Sequence, residues 1–166
     1  VTAYRLRLAA PADADAICRI YNQGIEDRLA TLETELRTRE ERRQWLESRS
    51  SRHPVIIAET ADPAVTVGWA SLNVFNPREA YRFVADISVY VERAWRGRGA
   101  GRALLEELVE LGRRHGFHKL VLSAFPFNDG GMALYTKLGF RTVGIYREQG
   151  MLDGKWVDTV IMERLL

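Results

Sequence analysis

The sequence predicts an α/β fold, a mixed sheet with helices on its faces. Three observations carry this reading. Short alternating apolar segments recur along the chain and mark strands. Amphipathic runs with apolar positions three and four apart lie between them and mark helices. A glycine-rich turn, Arg96-Gly97-Arg98-Gly99-Ala100-Gly101-Arg102, joins one such strand to one such helix. The order is β-α-α-β-β-β-α-β-α-β-β, without repeats, linkers or low-complexity segments, and one domain over residues 1–166 is expected.

Tyr4 to Leu8 alternates and reads as the first strand. Pro11 to Gly24 reads as a helix with Ala14, Ile17, Ile20 and Tyr21 on one face. Ile25 to Leu36 reads as a loop with part of a second helix. Thr38 to Ser48 carries the next helix, opened by Thr38 as N-cap with Glu41 three residues on, a capping box. Pro54 to Glu59 is a strand, Ala61-Asp62-Pro63 a turn, and Ala64 to Val74 a strand broken by Gly68. Asn76-Pro77-Arg78 turns the chain into the strand Arg82 to Val91. After the glycine loop a helix runs from Ala103 to His115, capped by Gly116. Lys119 to Phe125 is a strand that Pro126 ends, and Asp129 to Leu138 a helix that Gly139 closes. Arg141 to Glu148 and Trp156 to Leu165 are the final strands, turned at Asp153-Gly154.

Hydrophobic residues make up 46% and charged residues 28% of the chain, which suits a water-soluble globular protein with a real core. The net charge of +2 arises from many balanced charges, so a general nucleic-acid binder is not expected. No long apolar run or leader is visible, so neither a membrane role nor export is expected, and a cytoplasmic enzyme is the simplest reading. The single cysteine, Cys18, sits beside Ala16 and Ile17 and reads as a core position rather than a nucleophile. No metal site is expected.

The basic cluster is local. Glycines at 97, 99 and 101 remove side chains, so backbone N–H groups can converge on one point. The helix start adds unpaired N–H groups and the positive end of its dipole. With Arg93, Arg96, Arg98 and Arg102 around it, the turn suits a phosphate-bearing ligand. The Walker pattern is absent, and Arg102 stands where a dinucleotide fingerprint needs its third glycine.

The spacing that fits is R-x-x-G-x-G, as Arg96, Gly99 and Gly101, which resembles the pyrophosphate loop of the GNAT acetyltransferase superfamily. Asn128, Tyr135 and Leu138-Gly139-Phe140 are similar to that superfamily's closing pattern. The element order is similar to the GNAT fold over nearly the whole chain, which implies a mostly antiparallel central sheet flanked by helices on both faces. The resemblance implies acetyl-CoA as co-substrate. It places Arg96, Gly97, Arg98, Gly99, Ala100, Gly101 and Arg102 on the pyrophosphate, and Val89, Tyr90 and Val91 along the pantetheine arm. It also places Asn128 on the cofactor and Tyr135 near its sulfur, although Asn128 also reads as a plain helix cap and Tyr135 as core packing.

A narrower likeness rests on four segments in order: Ile20-Tyr21-Asn22 with Ala30-Thr31-Leu32-Glu33-Thr34-Glu35, Arg78-Glu79-Ala80-Tyr81, Ala85 to Val91, and Gly150 to Asp158. These look like the phosphinothricin N-acetyltransferase subfamily, with the arsinothricin-resistance enzymes nearest. That implies acetyl transfer to the amine of a small amino-acid-like acceptor, such as phosphinothricin, arsinothricin, or methionine sulfone or sulfoximine, and a homodimer. The chain departs from the subfamily by carrying Asp86 where Glu is common and Tyr135 where His is frequent.

The chemistry follows from the acceptor. An amine with a pKa of about 8 to 10 is largely protonated at neutral pH, so a base must take one proton. Asp86 is a carboxylate in the otherwise apolar strand Val84 to Val91, and burial raises such a pKa toward a useful value. It is the candidate base, acting directly or through a water. Backbone N–H groups at Val89 and Val91 are the candidate donors to the developing oxyanion. Tyr135 either protonates the leaving thiolate or orients it. Arg78, Tyr81 and Arg82, just upstream of Asp86, are candidates for the acceptor's anionic group, with Thr31 and Glu33 behind them. Trp156 and Asp158 are placed in the pocket wall or a dimer contact. Direct transfer in a ternary complex is expected. The competing readings are a protein or peptide N-terminal acetyltransferase and a non-catalytic acetyl-CoA-binding module.

Overall fold

The computed structural model describes residues 3–166. Its elements are β1 (Arg5–Leu8), α1 (Ala14–Glu26), α2 (Arg39–Glu47), β2 (Val55–Glu59), β3 (Thr66–Val74), β4 (Val84–Val91), α3 (Ala100–Arg114), β5 (Lys119–Ala124), α4 (Asp129–Lys137), β6 (Arg141–Leu152) and β7 (Lys155–Leu165). The strands form one seven-stranded sheet in the order β1-β2-β3-β4-β5-β7-β6. Every neighbouring pair is antiparallel except β4 and β5, which run parallel.

That one parallel pair organises the molecule. β4 and β5 pair through Val84↔Lys119, Ala85↔Leu120 and Asp86↔Val121, and there the ladder stops. Beyond Asp86, β4 keeps its ladder to β3, and beyond Val121, β5 keeps its ladder to β7. The sheet is therefore split from Ile87 onward. A parallel strand needs a crossover, and α3 supplies it.

Period-two alternation sorts the two faces. Ala70 and Leu72 of β3 and Ala85 and Ile87 of β4 join Leu104, Leu105, Leu108, Leu120 and Met162 in the core beneath α3. Trp69 points the other way, into a second cluster with Ile17, Ile20, Val55 and Ile57 under α1. On that side Trp69 stacks on Tyr90 at 4.9 Å between centroids. Ser71, Asn73, Asp86 and Ser88 share this face by the same alternation.

Four sequence expectations are corrected. The segment 27–38 carries no helix. Side chains there take the backbone groups a helix would need: the Arg37 amide donates to Asn22 Oδ1 at 2.9 Å and the Glu33 amide to Thr31 Oγ1 at 3.1 Å. β3 is not broken at Gly68; the irregularity falls at the Ala58/Glu59 register shift against β2. Gly68 is instead a close approach, since a Cβ there would lie 2.9 Å from both Leu104 Cδ1 and the Tyr90 carbonyl oxygen. α3 starts at Ala100, not Ala103, because Gly99 at φ +90° serves as its N-cap and its carbonyl accepts from the Ala103 amide at 3.1 Å. At α2 Thr38 does cap, accepting from the Glu41 amide at 3.1 Å, but the Glu41 carboxylate bonds the Thr38 hydroxyl and Arg37 rather than closing the box.

Candidate active site

The glycine loop is built by backbone shape. Gly97 and Gly99 have φ of +76° and +90°, a region that L side chains rarely enter. Ala100, Gly101 and Arg102 form the first turn of α3, ahead of its first i→i−4 bond, so their N–H groups point out of the helix end. Gly101 is tight for a different reason: a Cβ would meet Leu134 Cδ2 at 3.4 Å and Val91 Cγ2 at 3.6 Å.

The arginines around the loop divide. Arg96 is tied to Asp27, the C-cap just after α1, at 2.6 Å and lies 3.4 Å from the Val91 carbonyl oxygen. Arg93 grips the same carboxylate through two bonds of 2.8 and 2.9 Å, which holds Asp27 below its usual pKa. Arg102 pairs with Glu106 at 2.8 Å. Arg98 lies over the Trp95 ring at 5.0 Å, while its carbonyl accepts from the Tyr4 hydroxyl at 2.7 Å. Arg96 and Arg102 line the adjoining hollow; Arg98 does not, and Ala100 is buried beneath it.

That hollow measures about 420 Å³ and runs from the glycine loop along Val89, Tyr90 and Val91 to Asn128, Leu134 and Tyr135. It lies along the end of β4 that β5 leaves unpaired, with α4 opposite. The Val91 carbonyl faces Arg96 while the Glu92 amide donates to Val67 of β3, so alternation turns the peptide groups of both Val91 and Val89 toward the split. Asn128 caps α4, its Oδ1 accepting from the Gly131 amide at 3.1 Å, and it also lines the hollow. Leu29 and Ala30, from the loop after α1, form the opposite lip.

A second hollow of about 180 Å³ shares Leu29, Ala30, Val89, Tyr90, Asn128 and Tyr135 with the first and ends on Asp86, Ser88 and Ser123. A third, also about 180 Å³, continues past Ala30 and Ser123 to Thr31, Leu32, Phe125 and Thr159. Asp86 thus stands where the split begins, at the last paired position of β4 and β5. Burial pushes its carboxyl up to about 6, partly offset by the Asn73 amide opposite it on β3. Among the described residues no cation pairs with it. Burial likewise raises the phenols of Tyr90 and Tyr135, so both are neutral hydroxyls at neutral pH.

The acceptor-side candidates separate. Thr31 lines the third hollow, its hydroxyl accepting from the Glu33 amide at 3.1 Å. Glu33 is committed to Arg37, which lowers its pKa. Arg78, Tyr81 and Arg82 lie on the exposed turn before β4, outside the lining of all three hollows. Arg82 covers Phe83 at 4.2 Å and pairs with Glu79 at 3.4 Å, while Tyr81 rests on Phe75 at 5.5 Å. Trp156, 59% exposed, and Asp158, which accepts from the Glu148 amide at 2.7 Å, lie on β7 outside the same hollows. Cys18 is buried, with its thiol donating to the Arg37 carbonyl at 3.1 Å and its pKa raised by burial.

Residues 17–140 match the acetyltransferase (GNAT) family. The chain belongs to that family. It is an acetyl-CoA-dependent N-acetyltransferase with the GNAT fold. An L-methionine sulfoximine/L-methionine sulfone acetyltransferase of Salmonella typhimurium is 31% identical over 95% of this chain and 92% of the relative. The structure of a ribosomal-protein-alanine N-acetyltransferase from Brucella melitensis is 37% identical, with a TM-score of 0.93 over 98% of this chain and 99% of that one. A phosphinothricin acetyltransferase from Sinorhizobium meliloti, solved in complex with acetyl-CoA, is 30% identical, with a TM-score of 0.92 over 98% and 88%.

The acetyltransferase's own residues fit that co-substrate. The helix-end N–H groups and two arginines face one end of the split, and the free peptide groups of Val89 and Val91 run along it. A larger hollow of about 690 Å³ lies elsewhere, between β1, the α2–β2 connection and the end of α3. It meets neither the glycine loop nor Asp86. Sequence reasoning missed Leu29, Ala30, Leu134, Asn73 and Ser88. Gly130-Gly131 was a visible signal for an open α4 start, but nothing local marks a loop leucine that meets β4 only after folding.

Among the described residues, no His, Cys, Asp or Glu group is placed to hold a metal ion, and no helix is long and apolar enough to cross a membrane.

Proposed function

We propose that this acetyltransferase acetylates the amine of a small amino-acid-like acceptor, of the phosphinothricin, arsinothricin or methionine sulfoximine type, by direct transfer with both substrates bound. The observation that carries the reading is the position of Asp86: a partly buried carboxylate, raised to about 6, lining a hollow of about 180 Å³ that adjoins the one of about 420 Å³. A hollow of that size suits a small acceptor better than a polypeptide.

Acetyl-CoA, when bound, supplies an acetyl thioester. Arg96, Gly97, Gly99, Gly101 and Arg102 hold its phosphates through backbone N–H groups and charge, while Val89 and Val91 present peptide groups to its arm. Asp86 takes the amine proton above pH 6, where it is ionised. Tyr135, a neutral phenol on the wall shared by both hollows, donates a proton on the side where the thiolate leaves. Cys18 lines none of these hollows, which supports transfer without an acetylated thiol. Thr31 and Tyr90 shape the acceptor side. Arg78, Tyr81 and Arg82 are kept as a gate for the acceptor's anionic group at the outer turn.

A homodimer is proposed from the outer sheet edge. There β6 and β7 expose Val143, Ile145, Tyr146, Met151 and Trp156, each about half exposed or more. A cytoplasmic resistance role goes with an acetyl-CoA-consuming enzyme that blocks the amine of a toxic glutamate analogue.

The test is CoA release from acetyl-CoA with single acceptors. Fast release with phosphinothricin, arsinothricin or methionine sulfoximine, and little with peptides, supports the reading. Fast release with a peptide bearing N-terminal alanine and silence with the small acceptors favours the second reading. That alternative rests on the 37% identity to the ribosomal-protein-alanine enzyme.

A further inference from the structure

Two partly buried charges lie on either side of one amide. Arg49, which follows α2, forms no salt bridge with any described carboxylate. Its guanidinium is held by neutral acceptors: the His53 carbonyl at 2.9 Å, the Leu72 carbonyl, and Asn73 Oδ1 at 2.9 Å. Its flat face covers the Trp45 ring at 4.4 Å. Desolvation and the nearby Arg42 lower its pKa to about 10, so it stays charged at neutral pH. Asp86 in turn has no cation partner among the described residues. Asn73 stands between them, directly opposite Asp86 across the β3–β4 ladder.

The amide of Asn73 has one permitted orientation. Its Oδ1 accepts from Arg49 and from Ser71 Oγ at 3.0 Å. A flipped amide would set its NH2 against the guanidinium, donor against donor. The Nδ2 therefore faces the other way, donating to Ser88 Oγ at 3.1 Å, with Asp86 the cross-strand neighbour of Asn73. Polarisation by the cation on the oxygen strengthens the donor on the nitrogen.

We infer that Arg49 and Asn73 are positioning residues for Asp86: the guanidinium fixes and polarises the Asn73 amide, and that amide holds the carboxylate in its ionised, working form. The other charged and titratable groups around Asp86 do not supply this. Tyr90 on β4 and Tyr135 on α4 are neutral, and Arg42 on α2 lies over Tyr21 and Trp45 at 4.6 and 4.7 Å. The wall contributed by β5 at Val121 and Ser123 carries no charge. The inference rests on Asp86 being the base, and its test is read without turnover.

The experiment is a carbon-detected NMR titration of the aspartate carboxyls in the intact chain, with the Asp86 signal assigned by its loss in Asp86→Asn. Arg49→Gln should raise the Asp86 midpoint by about half a pH unit or more. Arg49→Met, whose side chain still covers Trp45, is the second variant if glutamine does not fold. Asn73→Ala should raise the midpoint as well, and adding Arg49→Gln or Arg49→Met to it should change little further. An unmoved Asp86 midpoint in a folded Arg49 variant overturns the inference, as does full additivity in the double variant. If Asp86→Asn keeps full turnover, the base reading falls, while the titration still decides whether Arg49 acts on Asp86.

Discussion

Gly68 of β3 lies against Leu104 of α3 with no room for a side chain: a Cβ there would stand 2.9 Å from Leu104 Cδ1 and equally close to the Tyr90 carbonyl oxygen. The leucine can turn, but the carbonyl belongs to the β3–β4 ladder and cannot. This contact seats the crossover helix on β3, beside the strand that carries Asp86. Gly68→Ala should therefore destabilise the fold by about 1–3 kcal/mol. A denaturant midpoint equal to the parent's would show that the contact relaxes freely.

The two kinds of glycine in the loop should respond differently. Gly99→Val places a β-branched residue at φ +90°, and Gly101→Val crowds Leu134 and Val91. Each should weaken acetyl-CoA binding by at least about tenfold, roughly 1.4 kcal/mol. Gly97 has open space around it, so Gly97→Ala meets conformational strain alone and should cost less. Calorimetric titration with acetyl-CoA ranks the three; equal affinities would refute the loop as the cofactor's cradle.

Asp86→Asn should lower kcat by about 10²- to 10⁴-fold and leave acetyl-CoA affinity nearly intact. In the parent enzyme, kcat/KM for the acceptor should fall as the pH drops below about 6, where the carboxyl is protonated. Undiminished turnover in the asparagine variant would remove Asp86 from the chemistry.

The same burial has a stability consequence of opposite sign. The carboxyl is raised from 3.8 to about 6 on folding, so its contribution is fully present at low pH and is lost as the pH rises through that window. Above pH 6 the ionised group opposes folding by up to about 3 kcal/mol. Asp86→Asn should then stabilise the protein by about 1–3 kcal/mol at pH 7.5, with the gain vanishing near pH 3.5. Denaturation at the two pH values reads this directly, and a variant no more stable at pH 7.5 contradicts it.

Tyr135→Phe isolates the phenol's role. The ring packs edge-on to Phe140 at 6.2 Å, a contact phenylalanine preserves. If the hydroxyl donates the leaving-group proton, kcat should fall about ten- to a hundredfold with acetyl-CoA affinity and thermal stability unchanged. A kcat within twofold of the parent's would assign the residue to packing.

Much of this protein is set by local pattern. Alternation and amphipathic spacing place every strand and helix in order, because side-chain periodicity records which face is buried. The glycine loop is legible for a related reason: Gly97 and Gly99 mark backbone angles that other residues avoid, a demand written residue by residue. Asp86 is legible as a charge among apolar neighbours. The tertiary structure alone decides where β4 parts from β5, since strand pairing is a relation between segments distant in sequence. It also turns Arg98 onto Trp95, commits Glu33 to Arg37, and keeps Arg78, Tyr81 and Arg82 out of the hollows. The link from Arg49 through Asn73 to Asp86 joins α2's exit to two strands, and no spacing in the chain encodes it. Periodicity reports burial of a residue on its own element; the partners of a buried polar group are fixed only when the elements pack.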